Sequence, residues 1–159
     1  MTTTIRPLGL DADLAAVVAF YDEAGDYWLL ADRKPPDFQK AQEFFTDCPP
    51  GCDPAASHRL GLFVEGRLSG VAELSFGFPD PQDAYLGLML LSPRIRGLGH
   101  GHLLTEDIIA RARAAGSPRL FLAVLDENPR GRAFWEREGF RDTGISRRDD
   151  ETGHVSRRL

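Results

Sequence analysis

The stretch RIRGLGHG, residues 94–101, places three glycines in eight positions between an apolar run, AYLGLMLL at 84–91, and an amphipathic run that starts near residue 101. Strand, glycine-rich turn and helix in that order aim the unpaired N–H groups of a helix N-terminus at whatever lies in the turn. Glycine there permits backbone angles closed to other residues and lets a ligand approach the amides. The ligand that suits such a turn is a phosphate or pyrophosphate, with Arg94 and Arg96 at hand to add charge at the rim. A tight strand-to-helix turn with no ligand uses the same glycines, so the loop by itself leaves both readings open. It is neither a Walker loop, since no Lys-Ser/Thr pair follows, nor a dinucleotide fingerprint, since the G-x-G-x-x-G spacing is absent.

The elements around the loop restrict the fold further. TTIRPL reads as a short strand, and Asp11 or Asp13 then caps a helix running to about residue 24, with Leu14, Val17, Val18 and Tyr21 at helical spacing. Gly25, Pro35 and Pro36 break the next segment into a loop with a short apolar element at 28–30. A second helix is expected over about 37–46. RLGLFV and LSGVAELSF flank Glu65-Gly66-Arg67 as a hairpin, and AYLGLMLL makes a third antiparallel strand. The helix over 101–115 places Leu103, Leu104, Ile108, Ala112 and Ala115 on one face. RLFLAVL reads as a strand buried on both faces, which suits a parallel neighbour. Asn128-Pro129 opens a last helix that Gly139 ends, and RDTGISRRD with GHVSRRL forms a closing hairpin. A single domain over residues 1–159 is expected.

LSPRIRGLGHGHLL resembles motif A of the GNAT superfamily of N-acetyltransferases, whose pattern is R/Q-x-x-G-x-G/A. The pattern fits twice, from Arg94 through Gly97 to Gly99 and from Arg96 through Gly99 to Gly101, so its register is open by two residues. Farther on, ENPRGRAFWEREGF resembles motif B of the same family, with Asn128, Ala133, Phe134, Trp135, Gly139 and Phe140 in the family's places. The two motifs come in the family's order, separated by a helix and a buried strand. The resemblance implies an α/β (α+β) fold with a mixed, mostly antiparallel central sheet, helices on both faces, and a splay where acetyl-coenzyme A enters. It implies a pyrophosphate held on the amides of Gly97, Leu98, Gly99, His100 and Gly101. The pantetheine arm would run between strands 84–91 and 119–125, beside Asn128, Phe134 and Trp135.

Acetyl transfer to an amine makes three demands. The amine must be neutral, and one with a pKa of about 10.4 carries a penalty of roughly 4–5 kcal/mol at pH 7 unless a base helps. Glu73, a carboxylate inside the strand GVAELSF, is the first candidate base, unless it faces solvent. Tyr85 is the second, near the place where the histone-acetyltransferase branch of the family carries a basic Glu; a strand aromatic with a bonded hydroxyl is its plainer reading. The developing oxyanion needs a donor. The family supplies one as a backbone N–H freed by a bulge in the strand before the loop, here at Met89, Leu90 or Leu91. The thiolate, finally, takes a proton from a motif B Tyr in many members, whereas this chain has Trp135, whose indole N–H donates a hydrogen bond but no proton at neutral pH. That departure admits an alternative, a noncatalytic acyl-CoA-binding sensor or regulatory module.

Composition narrows the partners. Net charge −5 speaks against nucleic acid or an anionic membrane, and no apolar stretch reaches the roughly 18 residues of a membrane span. The N-terminal sequence has no export signature, so a cytoplasmic protein is expected. Cys48 and Cys52 read as free thiols, and His58, His100, His102 and His154 lack metal-ligand spacing, so no metal is assigned. The acceptor is expected to be an amine of a small molecule, peptide or protein, and a homodimer is allowed. Asp22, Glu23, Asp26 and Asp32 make the end of the first helix and the segment after it acidic, which would suit a cationic acceptor or simply a solvated helix end.

Overall fold

The computed structural model describes residues 2–148 and, for the backbone alone, 155–158. Strand β1 (Thr3–Pro7) leads into α1 (Leu10–Glu23), α2 (Gly25–Asp32) and α3 (Phe38–Glu43). The meander β2 (His58–Val64), β3 (Arg67–Phe76) and β4 (Ala84–Leu91) follows, then α4 (His100–Ala114), β5 (Leu120–Leu125) and α5 (Pro129–Arg137). The chain closes with β6 (Ser146–Arg148) and β7 (Val155–Arg158). The strands lie in the order β1-β2-β3-β4-β5-β7-β6, and the pairs are antiparallel except for β4 with β5. The expected closing hairpin is present as β6 and β7, while residues 149–154, which would form its turn, lie outside the described residues.

Helices cover both faces because the strands are apolar on both. Leu60, Leu62, Leu74, Leu86 and Leu122 pack with Leu104 and Ile108 of α4 and Trp135 of α5. On the opposite face Val71, Leu68 and Leu90 pack with Val17, Phe20 and Tyr21 of α1, Trp28 of α2 and Ala41 of α3. In α4 the buried stripe is Leu104, Thr105, Ile108 and Ala112, with Leu103 turned to solvent, so the stripe is narrower than the sequence pattern suggests.

Three local readings are corrected. Gly9, not Asp11 or Asp13, is the N-cap of α1; Asp13 instead accepts the Gly9 N–H at 2.8 Å from inside the first turn and pairs with Arg6 at 3.0 Å, which holds its carboxyl below the usual range. The segment after Gly25 is helical, since Ala24, Trp28 and the α1 residues Phe20 and Tyr21 bury a shared apolar surface that outweighs the glycine's propensity. The third helix is shorter than expected, ending at Glu43, with Asp37 capping it through the Lys40 N–H.

Candidate active site

The parallel pairing of β4 with β5 covers only Ala84 to Leu86 against Leu120 to Leu122. Beyond those residues β5 turns to pair with β7 along its other edge, from Ala123 to Leu125. The two strands therefore diverge, and the ladder positions that would have joined them open on a cleft of about 580 Å3. One wall is Leu86 to Met89, the other Leu122 to Leu125 with Asn128 and Trp135. This is the splay expected from the resemblance.

A bulge sits in the same place. Glu73 pairs with Leu88 and Leu74 with Leu86, which leaves Gly87 as the extra residue in β4. The insertion reverses the alternation of the strand. Ala84 and Leu86 face α4, as do Met89 and Leu91, whereas Leu88 and Leu90 face α1. The expected bulge is thus present in β4 but two residues before Met89, the first of the three residues expected to hold it. Leu90 is committed to the α1 core and Leu91 packs beside Gly101. An isolated glycine in the apolar run AYLGLMLL is the signal that locates it.

Glu73 lies directly over that glycine. A Cβ on Gly87 would stand 2.1 Å from Glu73 Oε2, so the carboxylate occupies the space a side chain would take. Only 6% of Glu73 is exposed. Ser75 Oγ donates to the other oxygen, Oε1, and Ser57 Oγ is 3.0 Å from Ser75 Oγ. Burial raises the Glu73 carboxyl above the ordinary carboxylate range, against the opposing pull of Ser75, the Arg59 charge and Ser57. Arg59, the cross-strand partner of Glu73, donates to the backbone carbonyls of Phe44 and of Asp47 at 2.8 Å, and so ties the loop after α3 to the sheet. Tyr85 is the cross-strand partner of Ser75 and stacks edge-on against Phe78 with centroids 5.0 Å apart. Glu73 and Tyr85, singled out separately in the sequence, share one wall of the cleft.

The glycine loop lies at the end of the splay. Gly97 and Gly99 have φ of +78° and +90°, and Gly99 is the N-cap of α4, where no side chain caps the first amides. Gly101, two residues farther on in the first turn of α4, has no room for a side chain because the Phe134 ring lies 3.0 Å from where its Cβ would be. Gly99, shared by both motif registers, is where the chain turns into the helix. His100 is 8% exposed and its Nδ1 has no hydrogen-bond partner.

The two arginines are placed differently from expectation. Arg94 is bound to Glu23 of α1 and reaches Ser69 Oγ at 3.2 Å. Arg96 forms a two-pronged pair with Asp26 of α2, 2.6 and 3.3 Å, and donates to the Leu91 carbonyl at 3.1 Å. Both therefore fasten the loop to α1 and α2 rather than stand free at a phosphate. The same pairs correct the reading of the acidic segment: Glu23 is held below its ordinary value, in spite of its burial, by the Ser92 hydroxyl and Arg94, Asp26 is held below its own by Arg96, and Asp32 pairs with Lys40 at 3.2 Å.

In motif B, Asn128 caps α5, its Oδ1 accepting the Gly131 N–H at 3.0 Å, and it also lines the cleft. Trp135 is 8% exposed, wedged edge-on between Phe134 and Phe140 at 4.8 and 5.4 Å, and forms part of the cleft wall. Residues not singled out as site residues complete the side away from β5: Tyr21, Tyr27 and Trp28 from α1 and α2, with Lys40 Nζ 4.8 Å above the Trp28 ring. Their apolar spacing looks like core in sequence, and much of each is core. Cys48 and Cys52 are free thiols, and among the described residues no three His, Cys, Asp or Glu side chains converge as a metal site. His154 lies outside the described residues.

Comparison with known proteins agrees with this geometry. An acetyltransferase from Thermus thermophilus superposes with a TM-score of 0.75 at 21% identity, covering 100% of this chain and 97% of that one. The ribosomal-protein-S18-alanine N-acetyltransferase of Escherichia coli gives 0.73 at 19% identity, over 99% and 91% of the two chains. The PaiA N-acetyltransferase of Thermoplasma acidophilum, solved in complex with coenzyme A, gives 0.70 at 18% identity, over 99% and 98%. At these identities the likeness is one of fold. An uncharacterized N-acetyltransferase of Mycobacterium tuberculosis is 32% identical over 80 residues, half of each protein, so the match spans about half the length of that curated relative. The model of the acetyltransferase (GNAT) family matches residues 17–140. A match over most of the chain, on the fold, the strand splay and the glycine turn just described, makes this protein a member of the GNAT acetyltransferase family.

Proposed function

We propose that this protein transfers the acetyl group of acetyl-CoA to an amine of a small molecule, peptide or protein, with Glu73 as the general base. The observation that carries this reading is the position of a buried carboxylate over the bulge glycine of β4, where the strands diverge. The residues present fit acetyl-CoA: a cleft walled by apolar strand residues receives the arm, and the left-handed glycines lead to uncapped α4 amides that suit a pyrophosphate. The buried, unpartnered Nδ1 of His100 at the first helical position adds a polar atom there.

Acetyl-CoA supplies an activated thioester carbonyl. Ladder groups of β4 near Gly87 to Met89 face the splay, and their N–H donors suit an oxygen that gains charge as the amine attacks. Glu73 receives the ammonium proton on Oε2, the oxygen nearest the cleft floor at Gly87. Its raised affinity for a proton brings it nearer that of an amine, which makes the transfer less uphill. Tyr21, Tyr27, Trp28 and Tyr85 wall the side from which the acceptor approaches. Trp135 packs, and the thiolate, with a pKa of about 8.5, leaves without a protein acid.

A second reading, an acyl-CoA sensor, is favoured by one observation, the indole where many relatives carry a phenol. Release of free thiol from acetyl-CoA against a panel of amines, polyamines, aminoglycosides and peptides separates the two. Amine-dependent release supports transfer. Binding of acetyl-CoA without release across the panel supports the sensor.

A further inference from the structure

We propose that Ser75 and Ser57 form a proton exit that carries the proton taken up by Glu73 to solvent in a depression separate from the cleft that holds the reacting amine. The proposal rests on the reading of Glu73 as the base. It is drawn from a chain of contacts that crosses the end of the sheet. Glu73 lines the cleft of the splay. Ser75 is completely buried and donates to Glu73 Oε1. Ser57, whose Oγ is 3.0 Å from Ser75 Oγ, is among the residues that line a separate depression of about 350 Å3, together with Leu10, Pro54, His58 and Arg111. Arg59 borders both cavities, and its bonds to the Phe44 and Asp47 carbonyls hold that partition in place.

The chemistry supplies a reason for the exit. An amine that arrives as an ammonium ion gives up two protons in one turnover. The first must leave before nitrogen can attack. The second leaves as the C–N bond forms and the C–S bond breaks, the electron pair departing with sulfur, and it ends on the thiol. The products are an amide, CoA thiol and one proton released to water. A route for that first proton that avoids the substrate-filled cleft would return Glu73 to its base form for the next turnover. The carboxyl turns about its Cγ–Cδ bond and donates from the Oε1 side to Ser75 Oγ. Ser75 passes its own proton to Ser57 Oγ, and Ser57 passes its proton to water in the second depression. Each hydroxyl accepts one proton and donates one, so no charge is left along the chain. The groups that set the charge around Glu73 are Arg59 from β2, Asp47 from the loop after α3 and Cys52, and none of them interrupts the path.

The test uses Ser57→Ala, which leaves Ser75 in place to orient Glu73. Acetyl transfer is measured with two acceptors of similar shape, one with an amine pKa near 10 and one whose amine is already neutral at the assay pH. If the exit operates, the ratio of kcat for the first acceptor over the second falls by about tenfold, below the 10²–10⁴-fold of a complete acid–base contribution. The solvent deuterium isotope effect on the first acceptor increases, the KM for acetyl-CoA is unchanged, and Ser57→Thr restores the ratio. An unchanged ratio overturns the proposal, as does an equal loss with both acceptors, which marks Ser57 as structural. Glu73→Gln, run alongside, separates the two levels. If it retains wild-type turnover the base reading fails, and if it is impaired while Ser57→Ala is not, the exit alone fails.

Discussion

Gly87→Ala should cripple turnover while leaving the fold intact, and the reason is geometric. The new Cβ would lie 2.1 Å from Glu73 Oε2 and 3.3 Å from its Cδ. A comfortable contact is roughly 3.5 Å, so the carboxylate oxygen must retreat by more than about 1 Å. Its neighbour is the end of a flexible side chain rather than backbone, so the retreat is cheap in stability. It also pulls Oε1 away from Ser75 Oγ and removes the base from its position over the bulge. A displacement of that size costs about 10²-fold where the group is catalytic. The assay is kcat for the best acceptor, with thermal melting to establish that the variant is folded. The decisive comparison is a double-mutant cycle with Glu73→Gln: if alanine at 87 acts through the carboxylate, it lowers kcat little further once the carboxylate is gone. Equal factors in both backgrounds would refute the reasoning and point to distortion of β4 itself.

Glu73→Gln should lower kcat at neutral pH more than it changes the KM for acetyl-CoA, with the loss shrinking as pH rises and the amine deprotonates unaided; a pH-independent loss would mark a structural role. The same variant has a stability signature. The folded protein holds the Glu73 proton more tightly than the unfolded chain, whose Glu titrates near 4.3, so wild-type stability falls as pH climbs from there through the higher folded value. Glu73→Gln should therefore gain on wild type as pH rises above about 4.3 in denaturant titrations, and a gap that does not change with pH would contradict the raised carboxyl. Gly99→Val should weaken acetyl-CoA binding in calorimetry and lose about 1–2 kcal/mol of stability, since a β-branched residue is forced to φ +90° at the mouth of the loop. Trp135→Phe should retain acetyl transfer, and Trp135→Tyr should not raise turnover by the 10²–10⁴-fold of a missing general acid; such a gain would show that the absent phenol limits the rate.

The strand meander was readable because β2, β3 and β4 are apolar runs with turn residues between them. The step from β4 through glycines to α4 was readable because Gly97 and Gly99 sit where the chain needs φ above zero. Glu73 stood out because a carboxylate in an apolar strand needs a reason. What Glu73 touches was hidden, because its neighbour Gly87 meets it across the sheet and the register that joins them depends on a bulge. The same limit applied to Arg94 and Arg96. Local sequence showed two cations beside a phosphate-type turn, and only the packing of α1 and α2 against that turn shows Glu23 and Asp26 already paired with them. Ser57 and Ser75 are ordinary residues in sequence, 18 positions apart, and become a chain only when β3 lies beside the end of the loop before β2. The helix of Gly25 to Asp32 is not legible locally because glycine weighs against helix, whereas Trp28 gains its burial from α1 and α3.

The most direct measurement is a crystal structure of the protein with acetyl-CoA. The acetyl group is predicted beside Gly87, with its carbonyl oxygen on the β4 edge and Glu73 Oε2 facing the acceptor side, and the pyrophosphate on the amides of residues 97–101. Acetyl-CoA bound elsewhere, such as in the depression beside Ser57, His58 and Arg111, or bound at the loop with its acetyl group away from Gly87 and Glu73, would contradict the assignment of the splay as the reaction site.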